Sequence, residues 1–146
     1  MNGEFFDSLS ADFQAQILNT NIVITSRDRV ENNGLFEFGT ETISRKVFLL
    51  SYTELGLPAS ELANDEGKAL KYFKKNSIIA YCNGEPCSYW LRSRYTWEDN
   101  MAWGIGPEGT LGGGDTKSSN GVRPAICVSS TTKVFKNDSI YILSEQ

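Results

Sequence analysis

The architecture of this chain depends on residues 87–128, CSYWLRSRYTWEDNMAWGIGPEGTLGGGDTKSSNGVRPAICV. The segment contains all three tryptophans, and it places Arg92 and Arg123 within short apolar runs. Glycines are frequent, helical periodicity is absent, and the apolar runs alternate with turn sequences. This pattern predicts antiparallel strands that are joined by long glycine-rich loops.

Within this segment the predicted strands are residues 88–92, 101–105, 110–111 and 122–128. Residues 106–109 (GPEG) are predicted to form a turn, because proline presets φ and a glycine follows it. Residues 112–115 (GGGD) and 118–121 (SSNG) are predicted to be loops, since these residue types favour turns over regular ladders. At the C-terminal end, residues 133–143 read as a terminal hairpin.

The first half of the chain has helical patterns. Residues 2–18 carry phenylalanine and leucine at helical spacing, with Ser10 as an N-cap that restarts the helix. Residues 51–54 (SYTE) fit a capping box, which predicts a short helix that stops near Gly56. Residues 66–75 have one apolar face and predict a further helix.

Between these helical patterns lie extended segments. Residues 21–25, 46–50 and 77–81 are rich in apolar and β-branched side chains and are predicted to be strands or extended connections. Residues 27–39 are polar, contain an Asn-Asn-Gly sequence, and are predicted to be a turn or a mobile loop.

Length and composition limit the class of protein. A chain of 146 residues is one domain's worth, so residues 1–146 are expected to form a single domain. The net charge of -4 argues against nucleic-acid binding through phosphate neutralisation. No apolar run reaches the ~20 residues of a membrane helix, so we expect no membrane insertion. The start lacks the features of a signal peptide, so the chain is expected to be intracellular or to follow an upstream piece.

The absence of histidine restricts the available chemistry. Histidine is the commonest general base and the commonest zinc ligand. A Ser-His-Asp triad, a Cys-His dyad and a facial-triad iron site are therefore excluded. The three cysteines, Cys82, Cys87 and Cys127, are too few for a disulfide framework. We expect no catalytic residue and no cofactor, and the composition favours a protein that is not an enzyme.

Four ordered motifs, NGEFFDSLS, KVFLLSYTEL, SYWLRSR and NGVRPAICV, resemble a bacterial family of uncharacterised domains. The family is number six-two-seven-three among the domains of unknown function and is often found in gut Firmicutes. The resemblance implies a C-type-lectin-like fold related to the sulfatase-modifying factors and to receptor-binding proteins of phages. In that branch a Gly-Val-Arg motif precedes a core strand, and residues 121–123 match it. The expected class is α+β, with helices in the N-terminal half and a twisted antiparallel sheet in the C-terminal half.

The chain departs from the family in two ways. The family's domains usually begin with one or two strands before the helix, and in this fold the first and last strands pair. This chain begins at the helix, so it is expected to lack the N-terminal strands, and residues 139–143 would lack their partner. An unpaired edge invites another chain, which predicts either a truncated sequence or a strand-exchanged homodimer. The proline that usually follows Trp-Leu-Arg-Ser is Arg94 here.

Three residues are assigned structural roles. An unpaired guanidinium is expensive to bury, so Arg92 and Arg123 are expected to donate hydrogen bonds to carbonyls or a carboxylate and thereby fix the loops. An anionic ligand is the alternative partner for them. Trp90 has apolar, strand-like neighbours and is expected in the core.

The loop region 95–120 is the predicted ligand-binding face. Aromatic side chains lie there among hydrogen-bonding groups, which suits a glycan or a protein ligand. The alternative is that the tryptophans fill the core beneath the glycine-rich loops. The candidate ligand-binding residues are Tyr95, Trp97, Glu98, Asp99, Asn100, Trp103, Asp115 and Asn120.

A metal site is not expected. The calcium motif of lectins needs triplets that this chain only partly has, although Glu98, Asp99 and Asp115 could assemble a weak site. Cys82 and Cys87 have the spacing of the copper-binding cysteines in the related formylglycine-generating enzymes, and thiolates suit Cu(I). A turn with two free thiols, or a disulfide across it, is favoured over a copper oxidase.

The sequence therefore predicts a non-catalytic recognition domain for a glycan, peptide or protein, part of a bacterial surface or phage-related protein. The alternatives are a cysteine-dependent copper oxidase and a purely structural or assembly domain.

Overall fold

The computed structural model describes residues 3–32, 35–57, 65–96, 98–137 and 140–143. Its helices are α1 (Glu4–Asp7) and α2 (Ala11–Gln16), and a 3-10 turn covers Lys71–Lys74. Its strands are β1 (Thr20–Asn32), β2 (Leu35–Arg45), β3 (Val47–Leu49), β4 (Ala80–Cys82), β5 (Glu85–Cys87), β6 (Tyr89–Arg94), β7 (Met101–Ile105), β8 (Leu111–Asp115), β9 (Pro124–Ile126), β10 (Val134–Asn137) and β11 (Ile140–Leu143). The described strands form small antiparallel sheets in the orders β1-β2, β3-β9, β4-β5, β6-β7-β8 and β10-β11. No helix in these ranges is both long enough and apolar enough to span a bilayer.

The helical pattern predicted for residues 2–18, with a restart at Ser10, forms two short helices, α1 and α2. The Ser8 hydroxyl donates to the carbonyl of Phe5 at 2.6 Å, at the end of α1. Ser10 accepts a hydrogen bond from the Phe13 amide at 3.3 Å and caps α2, as its sequence position predicts. Serine side chains compete with the helical ladder in this way, and here they divide the helix.

Strands β1 and β2 form the longest hairpin, and they correct the prediction of a loop over residues 27–39. The register runs from Thr20 opposite Arg45 to Asn32 opposite Leu35, with an irregularity between Thr25 and Arg29. β-branched residues are frequent in both strands near the base of the hairpin, which favours a ladder. The N-terminal half is thus built around strands, and the expected separation of helices into that half is wrong; the described chain is mostly β.

The predicted capping box at residues 51–54 is present, but the turn it begins is short. The Glu54 amide donates to the Ser51 hydroxyl at 3.1 Å, and the Ser51 amide donates to the Glu54 carboxylate at 3.2 Å. The amides of Leu57 and Gly56 then bond to the carbonyls of Tyr52 and Thr53 at 3.0 Å each. This is a Schellman motif, with Gly56 at a φ of 77°, and it ends the helix after a single turn.

The helix predicted for residues 66–75 is also absent. Only Lys71–Lys74 form a 3-10 turn, and Leu70 is 41% exposed instead of packing on an apolar face. Glu66 is 1% exposed and accepts hydrogen bonds from Thr25 and Ser93. These contacts hold its backbone in a non-helical path.

Residues 112–115 are the clearest correction. They were predicted to be a loop, but they form most of β8, which pairs with β7 from Met101 opposite Asp115 to Ile105 opposite Leu111. The glycines permit this pairing because aromatic rings occupy the space that side chains would need. A Cβ on Gly114 would lie 2.9 Å from Trp90, and a Cβ on Gly113 would lie 2.8 Å from Tyr95.

The main core lies between β6, β7 and the turn after β3. Its fully buried members are Tyr52, Leu55, Tyr89, Leu91 and Ile105. The hairpin β4-β5 closes at Asn83-Gly84 and packs Ala80 against this cluster. The turn predicted at 106–109 is present, with the Gly109 amide bonded to the Gly106 carbonyl at 2.9 Å. The predicted terminal hairpin is also confirmed, as β10 and β11.

Candidate functional site

Arg92 fixes β6 to three other parts of the chain. Its guanidinium donates five hydrogen bonds, so every N–H group has an acceptor. The acceptors are the carbonyls of Val23 at 3.1 Å, Leu49 at 2.8 Å and Glu66 at 2.9 Å, and the two carboxylate oxygens of Glu54 at 2.6 and 2.9 Å. The sequence-based expectation of carbonyl and carboxylate partners agrees with this geometry.

The side chain of Glu66 completes the same buried network. One carboxylate oxygen accepts from the amide and the hydroxyl of Thr25 at 2.8 and 2.7 Å. The other accepts from the Ser93 hydroxyl at 2.6 Å, and Ser93 in turn accepts from the Tyr52 amide at 3.2 Å. Buried charges need such partners. The network therefore locks β1, the turn after β3 and β6 together.

This anchoring gives β6 two distinct faces. Tyr89, Leu91 and Ser93 are buried, whereas Trp90, between Tyr89 and Leu91, is only half-buried. Successive side chains of a strand point to opposite faces. Trp90 therefore does not join the core, as had been expected, but lies on the face that is turned away from Tyr89 and Leu91.

The indole of Trp90 lies over glycines of the neighbouring strands. Trp90 pairs with Gly104, and its six-membered ring extends across β7 toward Gly114 of β8. A Cβ on Gly104 would lie 3.4 Å from the ring, and one on Gly114 would overlap it at 2.9 Å. The glycines are thus a floor that accommodates the ring on the outer face of the sheet.

Beside this ring lies a shallow groove of about 170 Å³, which we call the Trp90 groove. It is lined by Ser88, Trp90, Gly104, Ile105, Gly106, Thr110, Gly112, Gly113, Gly114 and Asn120. Pockets for drug-sized ligands span roughly 300–1,000 Å³. The Trp90 groove is smaller than that range, so it fits a single small ring and not an extended molecule.

The rim of the Trp90 groove carries three polar side chains. Ser88, Thr110 and Asn120 line it. Within the described part of the chain, none of these three side chains makes a hydrogen bond. Among the residues that the structure describes, these two hydroxyls and one amide have no hydrogen-bond partner, and they lie next to an aromatic surface.

Tyr95 and Trp103 form an aromatic pair on the opposite face. Their ring centroids are 4.8 Å apart, with an interplanar angle of 57°. Trp103 is half-buried against the main core, and its indole N–H is buried without an acceptor in the described structure. These two predicted ligand-binding residues are brought together, but they pack largely inward.

The remaining candidates gather at one end of the three-stranded sheet. Glu98, Asp99 and Asn100 are exposed between β6 and β7, and the Asn100 amide donates to Asp115 at 3.5 Å. Arg94 forms an ion pair with Asp99. Trp97 lies outside the described residues. Among the residues that are described, no three or more histidine, cysteine, aspartate or glutamate side chains are grouped closely enough to hold a metal ion.

Arg123 is held by rings more than by hydrogen bonds. Its guanidinium carbon lies 5.6 Å from the Phe73 centroid and 5.5 Å from the Tyr89 centroid. Its Nη1 donates long bonds to the Ile78 carbonyl at 3.3 Å and to the Tyr89 hydroxyl at 3.4 Å. Burial raises the pKa of Tyr89, and the nearby Arg123 opposes that shift. Arg123 thus lies under the sheet, away from the Trp90 groove.

The two cysteines of the β4-β5 hairpin are free thiols. Cys82 pairs with Glu85 and Cys87 pairs with Ala80, so the two cysteines are diagonal neighbours across the ladder. Diagonal residues are about 7–8 Å apart at the backbone, which exceeds the usual separation in a disulfide. A turn with two free thiols describes this hairpin.

Trp90, Ser88 and Thr110, which line the Trp90 groove, were not among the predicted ligand-binding residues. The sequence of residues 89–93 indicates this position of Trp90, because side chains alternate along a strand and Trp90 therefore points away from the face that carries Tyr89 and Leu91. Of the predicted ligand-binding residues, only Asn120 lines the Trp90 groove.

A family model described as a domain of unknown function (DUF6273) matches residues 1–130 of the chain. Comparison with the curated proteins and with the solved structures gives no match.

Proposed function

This chain belongs to the DUF6273 family, and we propose that it is a non-catalytic recognition domain that binds one sugar ring of a glycan in the Trp90 groove. The observation that carries the proposal is the position of Trp90. Its indole is half-buried on glycines, on the outer face of the sheet, and the groove beside it has a polar rim.

The chemistry of a sugar ring complements this surface. A pyranose has a face of C–H groups and a rim of hydroxyls. The electron-rich face of an indole attracts polarised C–H groups, and the side chains of Ser88, Thr110 and Asn120 can exchange hydrogen bonds with the hydroxyls. Specificity in such small sites comes from a few placed polar groups around an apolar surface.

The wider setting of the proposal is a C-type-lectin-like domain of a bacterial surface or phage-related protein. The order of elements supports it, because Gly121-Val122-Arg123 directly precedes β9, the partner of β3. The exposed residues 98–100 and Asp115 lie at the end of the same sheet and would flank a longer glycan.

The test is a panel of immobilised monosaccharides and short oligosaccharides, followed by calorimetric titration of any sugar that binds. We expect Trp90→Ala to weaken binding roughly tenfold or more, and Asn120→Ala to weaken it less. Tyr81→Ala is the matched control, since Tyr81 is 65% exposed on another hairpin and its loss should change nothing. Equal binding by the parent and by Trp90→Ala would refute the proposed site.

The same panel distinguishes the other functions. If the protein binds peptides and no sugars, the Trp90 groove remains the proposed site, but its ligand is a peptide. The variant Cys82→Ser/Cys87→Ser should bind the sugar as the parent does, whereas a thiol-dependent copper oxidase would lose both Cu(I) binding and its activity.

A further inference from the structure

The lining of the Trp90 groove is uncharged. Among the residues that the structure describes, no lysine, arginine, aspartate or glutamate lines it. Its polar side chains are the hydroxyls of Ser88 and Thr110 and the amide of Asn120. Each of these groups can both donate and accept hydrogen bonds, as the hydroxyls of a sugar do, whereas a carboxylate only accepts and is bound best by cationic donors. The lining therefore complements an uncharged ligand.

The arginines near the three-stranded sheet are committed to contacts within the protein. Arg92 uses every N–H group of its guanidinium on acceptors in the chain. Arg94 is paired with Asp99. Arg123 lies under the sheet, over the ring of Tyr89. None of these three guanidinium groups is available to a carboxylate in the groove.

Two exposed carboxylates flank the groove. Glu108 lies in the turn that the Gly106 amide closes on the Thr110 carbonyl at 2.8 Å, and both of these hydrogen-bonded residues line the groove. Asp115 ends β8, directly after the glycines that line the groove. Lys117 lies beyond Asp115 and is not part of the lining. Because like charges repel, the two carboxylates disfavour an anionic ligand.

We propose that the Trp90 groove selects an uncharged sugar ring and excludes rings that carry a carboxylate, such as uronic acids. This specificity rests on the proposed function, since it presumes a sugar in the groove. Two causes act in the same direction. A bound carboxylate would be partly removed from water without a charged donor, and the flanking acids would repel it. Neutral hexoses and N-acetylhexosamines meet neither penalty.

Matched pairs of methyl glycosides test this specificity. For each ring that the monosaccharide panel retains, the probes are its methyl glycoside and the corresponding uronide, for example methyl glucoside and methyl glucuronide, which differ only in the oxidation of C6. In calorimetric titrations of the parent chain, the uronide should have a dissociation constant roughly tenfold or more above that of its neutral partner. Added salt should narrow this difference, because it screens the repulsion from Glu108 and Asp115.

Gly112 allows a cation to be added without removing a polar group from the rim. It lines the groove, and a Cβ at this position would meet open space. Gly112→Lys should lower the dissociation constant of the uronide by roughly twofold to fivefold relative to Gly112→Gln. The glutamine variant has a long side chain without the charge, so both variants should bind the neutral glycoside alike. Thermal unfolding checks that both variants are folded.

The outcomes separate this specificity from the proposed function. If the parent chain binds no sugar, or if Trp90→Ala binds sugar as well as the parent does, the groove is not a sugar site and both proposals fall. If the parent binds the uronide as tightly as the neutral glycoside, the sugar site stands and its specificity for uncharged rings is overturned. Equal binding of the uronide by Gly112→Lys and Gly112→Gln would overturn it as well.

Discussion

The carboxylate of Glu54 and the guanidinium of Arg92 form a two-pronged ion pair, with Oε2 2.6 Å from Nη1 and Oε1 2.9 Å from Nη2. The same carboxylate also accepts from the Ser51 amide at the start of the turn after β3. One side chain thus closes a local capping box and anchors a distant strand. Both partners are mostly shielded from water, so the pair depends on complete hydrogen bonding.

Arg92→Lys should destabilise the protein by roughly 3–5 kcal/mol. A lysine ammonium has three donors at one point and cannot reach Glu54 and three separate carbonyls. Urea unfolding followed by circular dichroism measures the free energy of unfolding. Arg45→Lys is the control, because Arg45 is exposed, and it should stay within about 0.5 kcal/mol of the parent. A similarly small effect of Arg92→Lys would contradict this account.

Glu66→Gln should cost about 1–3 kcal/mol, since it turns one acceptor oxygen into a donor within a buried network. Thr25 and Ser93 both donate to this carboxylate. The amide of glutamine would face at least one of these donors without pairing. Glu85→Gln, on an exposed hairpin, is the control in the same unfolding assay. Equal stability of the two variants would show that the network is dispensable.

Alanine substitutions along β8 should differ sharply between adjacent glycines. Gly112→Ala should be tolerated, because its Cβ would meet open space. Gly114→Ala should destabilise by about 1–3 kcal/mol and should displace Trp90, whose ring a Cβ would overlap. Thermal unfolding measures the first effect, and tryptophan fluorescence reports the second. If Gly112→Ala and Gly114→Ala behave alike, the ring does not lie on the glycine floor.

Stability should fall at alkaline pH because of Tyr52. Burial, the leading cause, raises the pKa of Tyr52 from 10.0 to about 12. Above pH 10 the unfolded chain loses this proton while the folded chain keeps it. The free energy of unfolding therefore decreases between pH 10 and pH 12, by up to about 1.4 kcal/mol per pH unit for this group. Below pH 10 the effect is absent.

Urea midpoints at several pH values from 8 upward measure this decrease. Tyr52→Phe should unfold with a shallower pH dependence than the parent, because the variant cannot ionise at that position. Tyr81→Phe removes an exposed tyrosine and should leave the slope unchanged. A slope that is identical in all three proteins would assign the alkaline loss to other groups.

Local hydrogen-bonding patterns and strand alternation could be predicted from the sequence, whereas contacts between residues far apart in the chain could not. Ser10 and Ser51 are caps where their sequence context predicts them, and the strand at 101–105 has the predicted bounds. These features depend on neighbouring residues only. The membership in the family was readable as well, from four ordered motifs.

The errors arise where distant side chains change a local preference. Residues 112–115 favour a loop by composition, but Trp90 and Tyr95 fill the space that the missing side chains leave, and a ladder forms. Glu66 begins a helical pattern, but its contacts with Thr25 and Ser93 hold it in place. Trp90 is outside the predicted core for a related reason: the direction in which its side chain points depends on which side of β6 the core occupies.

The reach of the Arg92 and Glu66 contacts has a kinetic consequence. They join residues that are 26 to 69 positions apart in the chain. Such contacts stabilise the chain only after long loops have closed. Folding that depends on them is therefore slow compared with the folding of helical bundles. Acquisition of the native state therefore waits on one late, collective event, in which Val23 of β1 meets Arg92 of β6.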